Sequence, residues 1–228
     1  MLEIVAVECG MSYGPLNVGP YITVFYTSTI DGFFVDCVGI IVSSNSNDTT
    51  NGSEIEDAWF PDSDADIISG FNLPPINLAV VKLNQELYFN SKVSPICLPN
   101  QDEKPPANSI CYYYQFYNGT DISYHPIKMS VFSEVFCQSV IGIPPFDPKT
   151  QICCKEAQNY WNTQVEYKPS LIMEGSPLIC IKNNKHFLYG IYSWLKIQKS
   201  DYPIVILTAV SSFTNLTYEL MNNFAAHN

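Results

Sequence analysis

Leu171-Ile172-Met173-Glu174-Gly175-Ser176-Pro177-Leu178-Ile179-Cys180 is the stretch on which the reading of this chain turns. Its second half is a Gly-Ser-Pro break followed by a short apolar run that ends in cysteine. The same pattern recurs outward in both directions: short apolar runs parted by Gly, Pro, Asn and Ser, with little helical periodicity. That pattern predicts an antiparallel sandwich or barrel. Tyr21–Tyr26 reads as a strand and Phe33–Val42 as its hairpin partner. Ser43–Gly52 is polar and turn-rich, an exposed loop. Tyr112-Tyr113-Tyr114 sits in a run expected to be a strand with one face buried and one exposed, or else a ligand-facing aromatic patch. Asn118–His125 reads as a loop. Leu216, Leu220 and Phe224 recur at four-residue spacing and predict a terminal helix over residues 214–224.

Composition narrows the function classes. At 228 residues the chain is long enough for one large all-β domain or two small ones with a real core. Charged residues make up only 14%, and the formal net charge is -11, which argues against nucleic acid and anionic membranes as partners. All 11 basic residues are lysines, so bidentate guanidinium recognition is absent. No stretch has the length of a membrane span. Residues 1–8 carry Glu3 and Glu8 and no basic residue, so they do not read as a signal peptide. Eight cysteines lack a zinc spacing. Four Asn-X-Ser/Thr sequons, at Asn47, Asn51, Asn118 and Asn215, together with those cysteines point to an oxidising, secretory route and to a glycosylated protein. Asp62, Asp64 and Asp66 have the one-three-five spacing of a calcium loop. Ile67 and Leu73 stand where glycine and glutamate belong, so Glu54–Asp66 is read as a solvated acidic loop with calcium as the weaker alternative, and no other metal or cofactor is expected.

Placed by Pro177, Leu178 and Cys180, the opening stretch resembles Gly-Asp-Ser-Gly-Gly-Pro-Leu-Val-Cys, the nucleophile segment of trypsin-like serine proteases. Other motifs resemble the same family in order. Asn77-Leu78-Ala79-Val80-Val81-Lys82-Leu83 followed by Val93-Ser94-Pro95-Ile96-Cys97-Leu98-Pro99 is similar to its Asn-Asp-Ile-Ala-Leu-Leu-Lys-Leu and Val-x-Pro-Ile-Cys-Leu-Pro. Phe187–Trp194 resembles Leu-x-Gly-Ile-x-Ser-Trp, and Ala209–Phe213 resembles the run before the terminal helix. The resemblance covers roughly residues 20–224. It implies an all-β fold of two six-stranded-type antiparallel barrels with a C-terminal helix. Residues 1–19 would be propeptide-like, the first barrel would span about 20–105, the second about 106–213, and the helix about 214–224. Only 16 residues separate Val42 from Trp59-Phe60-Pro61, so the first barrel is expected to be shortened, without the segment that carries the family's histidine.

On this template the nucleophile position holds Glu174, its preceding aspartate position Met173, the oxyanion-hole glycine position Ile172 and the orienting aspartate position Asn77. Asparagine cannot supply the charge that stabilises an imidazolium. Leu195 replaces a glycine that leaves room for extended substrate. The resemblance also implies the pairs Cys111–Cys180, Cys9–Cys97, and Cys137 with either Cys153 or Cys154. Cys154 is counted with the disulfide-forming set. Cys37, whose usual partner is missing, is left bridged to the remaining cysteine, free, or intermolecular. The expectation is therefore an inactive homologue: a secreted glycoprotein that binds a protein partner. A structural subunit of an extracellular complex, covalent or not, is the alternative, and a residual hydrolase the weakest reading.

Overall fold

The computed structural model describes residues 22–29, 32–40, 55–59, 78–84, 94–106, 109–118, 122–141, 146–157, 175–199 and 202–226, with some side chains inside these spans left out. Its centre is a closed antiparallel barrel of six strands. These are β5 (Ile110–Asn118), β6 (Ile122–Val131), β7 (Gln151–Glu156), β8 (Pro177–Lys182), β9 (Lys185–Lys199) and β10 (Tyr202–Ala209), in the order β10-β7-β6-β5-β8-β9. β9 closes the ring on β10, and Cys111 sits opposite Cys180 across the β5–β8 seam. Before the barrel, β1 (Ile22–Thr29) pairs with β2 (Gly32–Ile40), and β3 (Ile55–Trp59) pairs with β4 (Val80–Leu83). A helix, α1 (Glu134–Val140), follows β6. A 3₁₀ turn (Val210–Phe213) leads into the terminal helix α2 (Thr214–Ala226).

Strand alternation sorts the core. Cys111 and Tyr113 of β5, Ile152 and Cys154 of β7, Leu178 and Cys180 of β8, and Val205 and Leu207 of β10 fill the barrel interior. Their neighbours Cys153, Ile204 and Ile206 face outward and pack with Cys137, Ile141 and Phe146 beneath α1. Ser133 caps α1 by accepting from the Phe136 backbone N–H at 3.3 Å. The β8–β9 hairpin turns on Asn183 and Asn184, both at positive φ (52° and 59°), as a two-residue loop requires for its twist to match the strands.

The segment 94–106 packs onto this barrel. Cys97 N–H donates to the His186 carbonyl at 3.2 Å, and Leu188 N–H donates to the Cys97 carbonyl at 2.9 Å. The Gln101 side chain donates to the Ser212 carbonyl at 2.9 Å and accepts from the Asn215 backbone N–H at 3.1 Å, satisfying a donor in the first turn of α2. Glu103 accepts from Lys182 Nζ, from the Tyr189 hydroxyl and from Asn100.

Four expectations change. Glu54–Asp66 is not wholly a loop: Ile55–Trp59 forms β3, where Lys82 of β4 pairs with Glu56 at 3.2 Å. Asn118–His125 is not one loop, because β5 runs to Asn118 and β6 begins at Ile122. Consecutive Tyr113 and Tyr114 point to opposite faces yet both are buried, so both faces of β5 are covered there. Finally, α1 adds a helix where the sequence, with little helical periodicity before residue 214, predicts none. Its signal was Ser133-Glu134, a capping residue followed by an acid in the first turn.

Candidate active-site region and its floor

The floor of the site implied by the opening stretch is built from β8, β9 and β5. Gly175 sits at φ 86°, a region that glycine enters freely. Its N–H donates to the Tyr192 carbonyl at 3.0 Å, and Tyr192 N–H donates to the Ser176 carbonyl at 2.8 Å, pinning the turn to β9 before β8 begins. Ser176 is 0% exposed. The Tyr113 hydroxyl lies beside its side chain, and the Tyr113 ring meets Tyr192 edge-on with centroids 6.1 Å apart. Burial pushes the Tyr113 hydroxyl well above the usual tyrosine range, offset in part by Ser176 and reinforced by Tyr192 and Cys154. A turn fixed by two backbone hydrogen bonds over a packed aromatic pair is a rigid platform for whatever residue precedes Gly175.

Glu174, Met173, Ile172 and Asn77 lie outside the described residues, as do Asn47, Asn51, Asp62, Asp64, Asp66 and Cys9. Leu195 lies in β9, and Asn118, His125 and Cys37 lie in β5, β6 and β2, without described side chains. Asn215 is exposed near the start of α2. His186 is buried, and desolvation lowers its pKa below the usual imidazole value. It pairs with Ile181 in the β8–β9 register. That is five residues along β8 from Ser176, or roughly 16 Å at strand rise. It does not reach the platform. Among the described residues, no group of three His, Cys, Asp or Glu side chains could hold a metal ion, and no helix is long and apolar enough to cross a membrane.

The cysteines resolve an alternative that spacing left open. Cys111 is bonded to Cys180 and Cys137 to Cys153. Cys154 does not belong with the disulfide-forming set: it is a free, buried thiol. Adjacent residues on β7 face opposite sides of the sheet, so Cys153 meets Cys137 under α1 while Cys154 points into the barrel. Burial raises the Cys154 pKa, keeping the thiol protonated and unreactive. Cys97 is disulfide-bonded.

Two features had no signal in the motifs. One is the Glu103–Lys182–Tyr189 cluster, whose members are 79 and 86 residues apart. Contacts with Lys182, and then with Tyr189, hold the Glu103 carboxyl down at about 2. The other is the pairing of Tyr113 with Tyr192 under Ser176, visible only once register is known.

Comparison with known proteins places the whole arrangement. The trypsin family model matches residues 41–217. A solved structure described as "Structure of GrC" aligns with a TM-score of 0.63 at 17% identity, covering 90% of this chain and 97% of that one. At that identity the likeness speaks to the fold.

Proposed function

From the premise that this chain belongs to the trypsin family, we propose that it is a non-catalytic member that acts by binding protein, as a secreted, disulfide-bonded glycoprotein. The observation that carries the reading is Ser176. It is the one serine in the nucleophile stretch 171–180, and it is fully buried at the head of β8, two places beyond the nucleophile position. The position itself holds Glu174, and the orienting position holds Asn77. A serine nucleophile needs an exposed hydroxyl, a base in hydrogen-bond reach and a group that orients the base. Ser176 has no exposure, and His186 stands far along the hairpin. Meanwhile the Gly-Ser-Pro turn, the barrel and the disulfides are kept, which supports a role for the scaffold itself.

A fluorophosphonate serine-hydrolase probe is the test. The expected result is no labelling of the native glycoprotein; labelling abolished by replacing a single serine overturns the reading. Native purification from secreting cells tests the binding role, with a defined co-purifying protein as the expected outcome. Glycosidase treatment tests the modification: a mass loss at Asn215, an exposed sequon position, is expected.

The alternative, a covalently linked subunit of an extracellular assembly, is narrowed by Cys154. A thiol sealed in the barrel core cannot reach a partner, so a covalent link would depend on a cysteine other than Cys154.

A further inference from the structure

We infer that Asn215 is a sugar-acceptor site that closes on folding: the chain takes its glycan there only before Gln101 docks and α2 forms. The inference rests on the glycosylation proposed above and adds what controls it at this site.

The sequon Asn215-Leu216-Thr217 lies in the first turn of α2. Transfer uses both of its ends. The anomeric carbon of an oligosaccharide leaves a polyprenyl diphosphate and bonds to Asn215 Nδ2, while the amide gives up one proton and the diphosphate departs. The hydroxyl two residues on marks the asparagine as an acceptor, so the transferase has to reach carboxamide and hydroxyl together. An extended chain brings residues two apart to one face. On a helix they stand about 200° apart around the axis and share no face.

The fold follows that geometry. Asn215 is exposed, whereas Thr217 is 6% exposed. Thr217 Oγ1 donates to the Phe213 carbonyl at 2.9 Å, so its hydroxyl proton is engaged inside the molecule. Buried Thr214 donates in the same way to the Val210 carbonyl at 3.4 Å. Gln101 holds the helix start from outside, bonded on one side to the Ser212 carbonyl and on the other to the Asn215 backbone N–H. Presenting this sequon in extended form therefore breaks the Thr217 bond and the Gln101 strap together. The folded chain has room for a sugar on Asn215 but denies its addition. Gln101 precedes Asn215 by 114 residues, so the strap is synthesised before the sequon. Occupancy at Asn215 is set by a race between sugar transfer and the docking of Gln101.

The test offers the full chain, refolded without glycans, to purified oligosaccharyltransferase with a polyprenyl-diphosphate-linked disaccharide as donor. Mass-spectrometric peptide mapping reads the modification of Asn215. A reduced, alkylated and unfolded sample of the same chain is expected to react roughly tenfold faster or more than the folded one. Folded Gln101→Ala should react roughly two- to tenfold faster than the folded native chain, as the loss of the strap predicts. Gln101→Glu keeps an acceptor for the Asn215 N–H and should stay closed. A folded chain modified as fast as the unfolded one overturns the inference and leaves glycosylation standing. A Gln101→Ala rate equal to the folded native rate overturns the role given to the strap. No modification of Asn215 even in the unfolded chain removes the acceptor reading at this sequon, and the inference with it.

Discussion

Glu103 accepts a hydrogen bond from Lys182 Nζ at 2.6 Å across 79 residues of chain, tying the segment before the barrel to the β8–β9 hairpin. The same carboxylate oxygen takes the Tyr189 hydroxyl at 2.5 Å. Charge-assisted hydrogen bonds of this kind contribute about 1.5–3 kcal/mol each before screening, and this one is partly exposed. Glu103→Gln is expected to cost about 1–2 kcal/mol. Urea denaturation should show the midpoint shift with an unchanged slope.

The pH dependence follows from Glu103 and His186 on the acid side and from Cys154, Tyr113 and Tyr189 on the alkaline side. Glu103 titrates at about 2 in the fold against 4.5 as a free side chain. Its contribution is complete above 4.5 and is lost as pH falls toward 2. His186 is lowered from 6.5 by burial, so the unfolded chain takes up a proton that the fold resists, and stability declines as pH falls through 6.5. Burial raises Cys154 above 9.0 and Tyr113 above 10.0, and burial with Glu103 raises Tyr189 above 10.0, so their contribution holds below 9.0 and is lost at higher pH. Denaturant midpoints should be flat between these limits and fall on both sides. In His186→Phe the loss between pH 6.5 and the carboxylate range should shrink.

Gly190 marks a close approach between strands. A methyl group there would stand 3.1 Å from the Leu207 Cβ and 3.5 Å from the Leu178 Cβ. Both neighbours are fully buried and have little room to give. Gly190→Ala should destabilise by about 1–3 kcal/mol. In a chain of this size that lowers the thermal midpoint by about 2–4 °C per kcal/mol, which calorimetry would read.

The outward–inward split of Cys153 and Cys154 predicts that they cannot exchange roles. Cys153→Ser should leave Cys137 as a free thiol, and non-reducing peptide mapping should recover no Cys137–Cys154 bridge. The stability lost with this 16-residue closure is expected to be about 3 kcal/mol.

The barrel was legible because its determinants are local. Gly175-Ser176-Pro177 specifies a break and Leu178-Ile179-Cys180 a buried strand, and each motif carries its own spacing. The choice between Cys153 and Cys154 was not legible, since it depends on which face of β7 looks toward α1, and a one-residue change of register reverses it. Tyr114 was misread because the alternation rule assumes that one face is wet, and at β5 the outer face is covered as well. Glu103 was invisible for a different reason. An acid amid Gln101, Asp102 and Lys104 looks like surface, and only the fold brings Lys182 and Tyr189 to it. The platform under Ser176 was half legible: Gly175 announced the turn, but nothing in the motif named Tyr113 as the side chain beneath it.

The order of strands around the barrel also sets an order in time. β5, β6 and β7 are neighbours in the chain, but the outer edge of β5 is met by β8 and that of β7 only by β10. A nascent chain emerging at about 5–20 residues per second therefore carries a three-stranded sheet with two open hydrogen-bonding edges for some seconds before it can close. Such edges template wrong pairings between chains. Until Tyr202–Ala209 arrives, this protein depends on its surroundings to keep those edges apart.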